Sequence, residues 1–331
     1  MLRRLLLSIV LFTVTACGMS QADATATVTP VAPTATLAAP TATVAVPTPS
    51  SVPQDRVITD SAGRTVTIPA TVDAVISLAP STTEIVAALN DQGTVQILAV
   101  DVYSDYPPEV ADLPKITNYD MTVNYEQITA LQPDVVFAAG ITAPDVVEQV
   151  TALGIPVVVV GSVETTFVSI LSDITLVGSV VGAEPAAQTL VAQMQSDWDA
   201  LVAEVASYPA RPTVFWELDA TDPAKPYTIG PNNFVNDLLT AAGGVNIFAT
   251  ADTPYPQVSI EQIVAANPEV ILLADSIYGV TPEMVASREG WQALSAVTGQ
   301  RVYPINDSLV SRPGPRIVAG LAEVVAALHA R

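Results

Sequence analysis

The chain has 331 residues, a formal net charge of −21 and only twelve basic side chains against thirty-three acidic ones; with no basic patch, nucleic acid is excluded as a partner. Half of the residues are apolar, so this acidity belongs to a packed, soluble chain long enough for two domains, not to a disordered one. There is one histidine, His329, and one cysteine, Cys17. No internal disulfide and no Ser-His-Asp or Cys-His set can be built from them, and zinc clusters are all but excluded. No phosphate-binding glycine loop follows any strand-like run.

Arg3 and Arg4 precede an apolar run, Leu5 to Val14, that is too short to span a bilayer. Residues 1–16 are therefore expected to be a signal peptide. The run ends at Val14-Thr15-Ala16-Cys17-Gly18, which resembles a bacterial lipobox and implies lipidation of Cys17. A plain secretory signal with a chance cysteine is the alternative. Residues 17–54 are rich in Thr, Ala and Val, with prolines at 30, 33, 40, 47, 49 and 53. Such a stretch builds no core and reads as an extended tether behind the cysteine.

An N-terminal lobe is expected over 55–183. Apolar, β-branched runs at Val75–Leu78, Val95–Val100, Asp134–Ala138 and Pro156–Val160 alternate with helical segments at Ser81–Leu89, Asn124–Leu131 and Ala143–Leu153. Another helix is expected over 165–181. This alternation predicts an α/β lobe whose parallel sheet is covered on both faces. Ser81 and Glu84 have capping-box spacing.

Residues 184–208 predict one long connecting helix. Leu190, Met194, Trp198, Leu201 and Val205 recur at helical steps, Pro185 suits the first turn, and Pro209 and Pro212 stop the run. About 24 residues at roughly 1.5 Å each give a rod on the order of 36 Å, enough to bridge two bodies; an ordinary long core helix is the competing reading. A C-terminal lobe follows over 209–331. Its expected strands are Thr213–Leu218, Val245–Phe248, Glu269–Ala274 and Arg301–Ile305, and its helices Asn232–Ala242, Ser259–Ala266, Pro282–Ala296 and Pro315–Ala330.

The two lobes share a gapless repeat. Asn124–Ala138 and Ser259–Leu273 match at Glu126/Glu261, Gln127/Gln262, Ile128/Ile263, Ala130/Ala265, Pro133/Pro268 and Val135/Val270. Each copy carries a capping residue with Gln three positions on, a short helix, a proline and an apolar strand. Two copies indicate twin lobes, not a solenoid.

Ligands of open parallel sheets bind beyond the carboxyl ends of the strands. There the chain offers Ala79–Thr83, Asp101–Tyr106, Tyr227, Tyr255 and Asp307–Arg312. Tyr103, Tyr119, Tyr227 and Tyr255 lie on Pro/Gly/Asp-rich turns, and a tyrosine gives a flat apolar face with a polar tip. Arg312 can pair with an acidic ligand group or with Asp307. Glu126 and Glu261 occupy matching first-turn positions; complementing the helix dipole explains most such glutamates, and presenting two equivalent carboxylates to a two-fold partner is the other reading.

Taken in order, the lipobox, Ala79-Pro-Ser-Thr-Thr-Glu84, Ser104-Asp-Tyr-Pro-Pro108, Asn124–Pro133, Tyr255-Pro-Gln-Val-Ser-Ile-Glu-Gln262 and Pro313-Gly-Pro-Arg316 resemble the substrate-binding proteins of ABC importers. More narrowly, they resemble the class in which a rigid helix joins two lobes, serving cobalamin, haem and iron-siderophore uptake; the cobalamin-binding branch is nearest. The resemblance implies ligand contacts at Tyr103, Tyr119, Tyr227, Tyr255, Asp307 and Arg312, with cobalamin as the transported ligand. It also implies docking of Glu126 and Glu261 onto arginines of a permease dimer with its ATPase. No catalytic residue, metal site or resident cofactor is expected, and the protein should be a monomer, lipid-anchored on the extracytoplasmic face of the cell membrane. Tyrosine stands at 119 and 255 where that branch favours tryptophan, so a ferric siderophore or haem stays open as the ligand. A cleft-carboxylate hydrolase is the rival from another class.

Overall fold

The computed structural model describes residues 54–90 and 93–329, so the signal segment, Cys17 and nearly all of the tether lie outside the described residues. The described chain opens with an antiparallel hairpin, β1 (Arg56–Thr59) and β2 (Thr65–Ile68). Then come β3 (Ala74–Ser77), α1 (Pro80–Leu89), β4 (Gln96–Val100), α2 (Tyr125–Leu131), β5 (Val135–Ala139), α3 (Pro144–Ala152), β6 (Val157–Val160) and α4 (Phe167–Val181). The four later strands form an all-parallel sheet in the order β4-β3-β5-β6. Val75, Val135, Phe137 and Val158 face one apolar layer, and Ile76, Val136, Ala138 and Val157 face the other. Burial on both faces is why these strands read as unbroken apolar runs.

The hairpin is absent from the sequence-based expectation because its strands are only four residues long and, apart from buried Ile68, alternate half-buried with exposed positions. Asp60 makes it. One carboxylate oxygen accepts from the backbone N–H groups of Ala62 and Arg64, and the other accepts from the Arg64 guanidinium and the Val159 N–H. Ser61 N–H donates to the Val159 carbonyl and Arg64 to the Val157 carbonyl, so the hairpin turn covers the free edge of β6.

The connecting helix α5 runs Glu184–Val205, ending three residues short of the expected 208. After it come β7 (Thr213–Asp219), β8 (Tyr227–Thr228), α6 (Phe234–Ala241), β9 (Val245–Asn246), α7 (Ile260–Ala266) and β10 (Val270–Leu273). The chain closes with α8 (Pro282–Ser287), α9 (Ser295–Thr298), β11 (Val302–Pro304), α10 (Asp307–Val310) and α11 (Ile317–Leu328). The second sheet has the order β11-β10-β7-β8, with β9 also parallel to β7 and β8 antiparallel to it.

Helix α5 packs against α4 of the first lobe and against α6 and α11 of the second, so it does bridge two bodies. Met194 and Val205 are buried in that contact, and Leu190, Trp198 and Leu201 are half-buried beside them. Trp198 stacks on Phe167 of α4 with ring centroids 3.8 Å apart. Near its start the approach is closer still: a Cβ on Gly178 would stand 2.5 Å from the Ala187 Cβ, so only glycine fits there. Beyond its end, Tyr208 stacks on His329 at 4.1 Å, and the imidazole Nε2 lies 2.9 Å from the Ala242 carbonyl oxygen. The single histidine is a structural staple.

Three local expectations are corrected. Ser81 and Glu84 form no capping box: α1 starts at Pro80 with Ala79 at the cap, and Glu84 is buried in the body of the helix. The Pro282–Ala296 helix is two short pieces. Arg288 leaves helical geometry and places its guanidinium on buried Glu217, with Trp291 beneath it. The expected strand Val245–Phe248 pairs over two residues only, because Ile247 and Phe248 turn in to pack with Phe215 and Trp291.

Asp275 shares that buried cluster. Burial, and then the charge of Glu217, push its carboxyl up to about 7 from an ordinary 3.8. The folded state therefore holds the proton more tightly than the unfolded chain does. Its contribution to stability is fully present below about pH 4 and is lost as pH rises through about 7. Asp275→Asn, which mimics the protonated form, should leave the melting temperature near pH 4 unchanged and raise stability at pH 8 by on the order of 2–4 kcal/mol. Thermal melts at the two pH values decide this; equal effects at both would reject it.

Candidate ligand-binding cleft

Between the lobes lies a cleft of about 870 Å³. Its walls are the segments that follow the carboxyl ends of β3, β4, β5 and β6 on one side and of β7, β10 and β11 on the other. The floor of the first lobe is tightly built. A Cβ on Gly140 would stand 2.4 Å from both the Gly161 carbonyl oxygen and the Ser162 Cα, so these two strand ends meet only through glycine.

Polar side chains of this wall are committed inward. Asp101 is buried; its carboxylate accepts from Ser104 Oγ and from the Tyr103 N–H. Burial raises its pKa, and these hydrogen bonds and Lys115 offset that only in part. Asp173 likewise accepts from Ser61 Oγ and the Gly161 N–H, and burial raises its pKa too. Ser77, Thr82, Thr83 and Ser104 form a closed hydroxyl network behind them.

The structure brings four of the six expected ligand contacts to the cleft surface: Tyr103, Tyr255, Asp307 and Arg312. Tyr103 is half-exposed, and its hydroxyl donates to the Tyr119 carbonyl oxygen at 3.0 Å. Tyr119 stands edge-on behind it, ring centroids 5.8 Å apart, and is itself off the cleft wall. Tyr227 sits in β8, also off the wall. Burial pushes the Tyr255 phenol up to about 12. Asp307 opens α10 and accepts from Ser311 Oγ.

Arg312 does not pair with Asp307. Its Nη1 donates to Glu84 Oε1 at 3.1 Å and Asp105 Oδ1 at 2.6 Å, and its Nη2 to the Tyr103 carbonyl oxygen at 3.3 Å, all in the other lobe. Burial opposes its charge, but the hydrogen bonds it donates to Asp105 and Glu84 outweigh that and hold its pKa above the ordinary value. Arg316 adds two hydrogen bonds to Glu84 and lies 3.9 Å over the Tyr106 ring. This latch between the lobes was hidden in the sequence, since its partners are more than two hundred residues apart. Ile277 and Tyr278, on the turn after β10, also line the cleft. The carboxyl-end rule covers them as well, but they belong to no motif or repeat, and Asp275 and Ser276 separate them from the apolar run Val270–Ala274.

Glu126 and Glu261 are exposed in the first turns of α2 and α7. Asn124 accepts from the Gln127 N–H without the reciprocal bond, whereas Ser259 and Gln262 form a full capping box. The caps come mainly from other residues, and both glutamates are exposed; a hydrogen bond with Ser259 holds the Glu261 carboxyl below its ordinary value.

Residues 75–309 match a family model described as periplasmic binding protein. The chain belongs to the periplasmic binding protein family. It is accordingly a solute-binding protein and not an enzyme, with two α/β lobes on a helical backbone. An ABC transporter substrate-binding lipoprotein of Bacillus subtilis, YvrC, itself uncharacterized, is 34% identical over 278 residues, 82% of this chain and 85% of the relative. A vitamin B12-binding protein of Vibrio cholerae is 32% identical over 260 residues, 76% of this chain and 87% of the relative. Among solved structures, the periplasmic vitamin B12 binding protein BtuF of Vibrio cholerae aligns with a TM-score of 0.65 at 29% identity, over 78% of this chain and 96% of that one. The periplasmic heme-binding protein RhuT of Roseiflexus sp. RS-1 aligns with a TM-score of 0.65 at 25% identity, over 78% and 98%.

Proposed function

We propose that this periplasmic binding protein captures a corrinoid, cobalamin, in the cleft and hands it to an ABC importer. The importer role is supported by the family and by the name of the Bacillus subtilis relative. The observation that carries the corrinoid reading is the charge of the wall. Arg312 is the one cation on it among the described residues and is already bound to Glu84 and Asp105, while Asp307 adds a carboxylate and Asp101 and Asp173 are bonded inward. Such a wall disfavours an anionic guest and offers apolar and tyrosine surface to a large, uncharged one. Haem brings two carboxylates and finds no free cation on this wall. The vitamin B12-binding relatives are consistent with this choice.

A ferric siderophore or haem is the second reading, favoured by heme-binding neighbours and by the cleft tyrosines as iron ligands. Against it, ligation requires a phenolate, and burial pushes the free Tyr255 phenol up to about 12, so the iron would have to expel that proton on binding. Titration of the purified protein with cyanocobalamin, hemin and ferrichrome separates the two. A shift of the cobalamin absorbance spectrum with poor competition from the other two is the expected result. Tight binding of hemin or ferrichrome without cobalamin binding would replace the proposal by the second reading.

Glu126 and Glu261 are proposed to dock on arginines of the permease dimer, and Cys17, behind the signal segment, to carry the lipid that holds the protein at the outer face of the cell membrane. The Bacillus subtilis relative is named a lipoprotein, which supports the anchor. Among the described residues no helix is long and apolar enough to cross a membrane.

A further inference from the structure

The turn Ala274–Tyr278 follows β10 as a short 3-10 helix. Its first half is anchored: Ala274 and Asp275 are buried, and Ser276 Oγ donates to the Ile305 carbonyl oxygen. Gly279 then turns the chain away with a left-handed φ of 91°, which a residue with a Cβ adopts only under strain. Between anchor and exit, Ile277 and Tyr278 are pushed outward, 61% and 80% exposed, and both line the cleft. Two adjacent large apolar side chains on a rigid turn, with nothing of their own lobe over them, are costly surface unless something covers them.

The opposite wall supplies matching surface. Tyr103, Met121 and Ile141 of the first lobe also line the cleft and are 43%, 49% and 77% exposed. Tyr103 is braced by Tyr119 behind it and by its hydroxyl bond, so its ring has a fixed orientation. Tyr278 is near enough for the charges of Tyr103, Asp307 and Asp219, after its partial burial, to push its phenol up. The phenol stays neutral and keeps a proton to donate.

We infer that Ile277 and Tyr278 are a ligand-gripping lip: the Tyr278 ring and the Ile277 side chain close on one apolar face of the guest while Tyr103 supports the other, and the Tyr278 hydroxyl donates to a carbonyl at its rim. The inference rests on the corrinoid reading for the guest, a broad uncharged macrocycle bearing amide carbonyls. It makes Tyr278 a specificity-determining residue of the second lobe, in a place that Tyr119 and Tyr227 do not occupy.

The test compares cyanocobalamin affinity for the wild type, Tyr278→Ala, Tyr278→Phe and Ile277→Ala. Removing the ring should weaken binding by about tenfold or more, and trimming Ile277 by about threefold. Tyr278→Phe should stay within about threefold of the wild type, the phenol bond being one of several. Both side chains are exposed, so the melting temperatures should not move. Tyr278→Ala binding within twofold of the wild type overturns the lip and leaves the corrinoid reading standing. If the wild type binds no cyanocobalamin, that reading falls, and the same variants are titrated with hemin, ferrichrome and Nile red, a neutral apolar dye. Tenfold loss with whichever probe the wild type does bind keeps the lip. Unchanged affinity, or a wild type that takes up none of the four, overturns it.

Discussion

Glu84→Ala should destabilise the protein by about 3 kcal/mol, seen as a fall of roughly 6–12 °C in melting temperature. Glu84 is 3% exposed and accepts hydrogen bonds from both Arg312 and Arg316 of the other lobe. With Asp105 the set is balanced, two carboxylates and two guanidiniums. Breaking a buried ion pair from one side leaves the partner charges in low dielectric without compensation, and that desolvation dominates the cost. The figure sits at the low end for such breaks because Arg312 keeps Asp105 and Arg316 is partly exposed.

Two companions test the explanation. Asp105→Asn removes the exposed arm, where solvent screens the charge, and should cost less than about 1 kcal/mol. Glu84→Gln with Arg316→Met removes opposite charges together and should recover part of the loss. Equal costs for Glu84→Ala and Asp105→Asn would mean that the latch is not a buried ionic one. The exposed arm also has a sign. Burial raises the Asp105 pKa, but the hydrogen bond and charge of Arg312 outweigh this and hold it below the ordinary 3.8. Its contribution is thus complete above about pH 4 and fades only as pH falls through the depressed value.

The largest effect on function is expected from Glu126→Arg combined with Glu261→Arg, which should abolish ligand uptake by cells while leaving ligand affinity of the purified protein unchanged. The two residues occupy equivalent places in the sequence repeat and on α2 and α7, and neither lines the cleft. Reversing a charge in the first turn of a helix also opposes its dipole, at about 0.3–1 kcal/mol each, so the melt must be checked. Glu126→Gln with Glu261→Gln gives the milder control, expected to reduce uptake by less. A fall in ligand affinity would place these glutamates in the binding site and remove the docking proposal.

What could be read from the sequence was what repeats locally. The stripe Leu190–Met194–Trp198–Leu201–Val205 specifies α5 because helix periodicity is a property of neighbours in the chain. The matching units around Glu126 and Glu261 announce twin lobes for the same reason. What stayed hidden depends on distant partners or on very short elements. Glu84 has the spacing of a cap, but Arg316 takes its carboxylate instead. Arg288 interrupts an otherwise helical segment because Glu217 lies within reach. The hairpin at Arg56–Ile68 depends on one aspartate that serves both its own turn and the edge of another strand. Tyr278 belongs to no motif or repeat, and its exposure on the turn after β10 is a property of the folded chain alone.

That hairpin also removes a sheet edge on which copies of the protein could pair. The outer rim of a parallel sheet is adhesive: its open amides can seize the rim of a neighbour and continue the ladder from molecule to molecule. Asp60, Ser61 and Arg64 occupy the Val157 and Val159 positions where such growth would start. For chains crowded side by side, the plug built into the first folded residues is a guard against self-assembly.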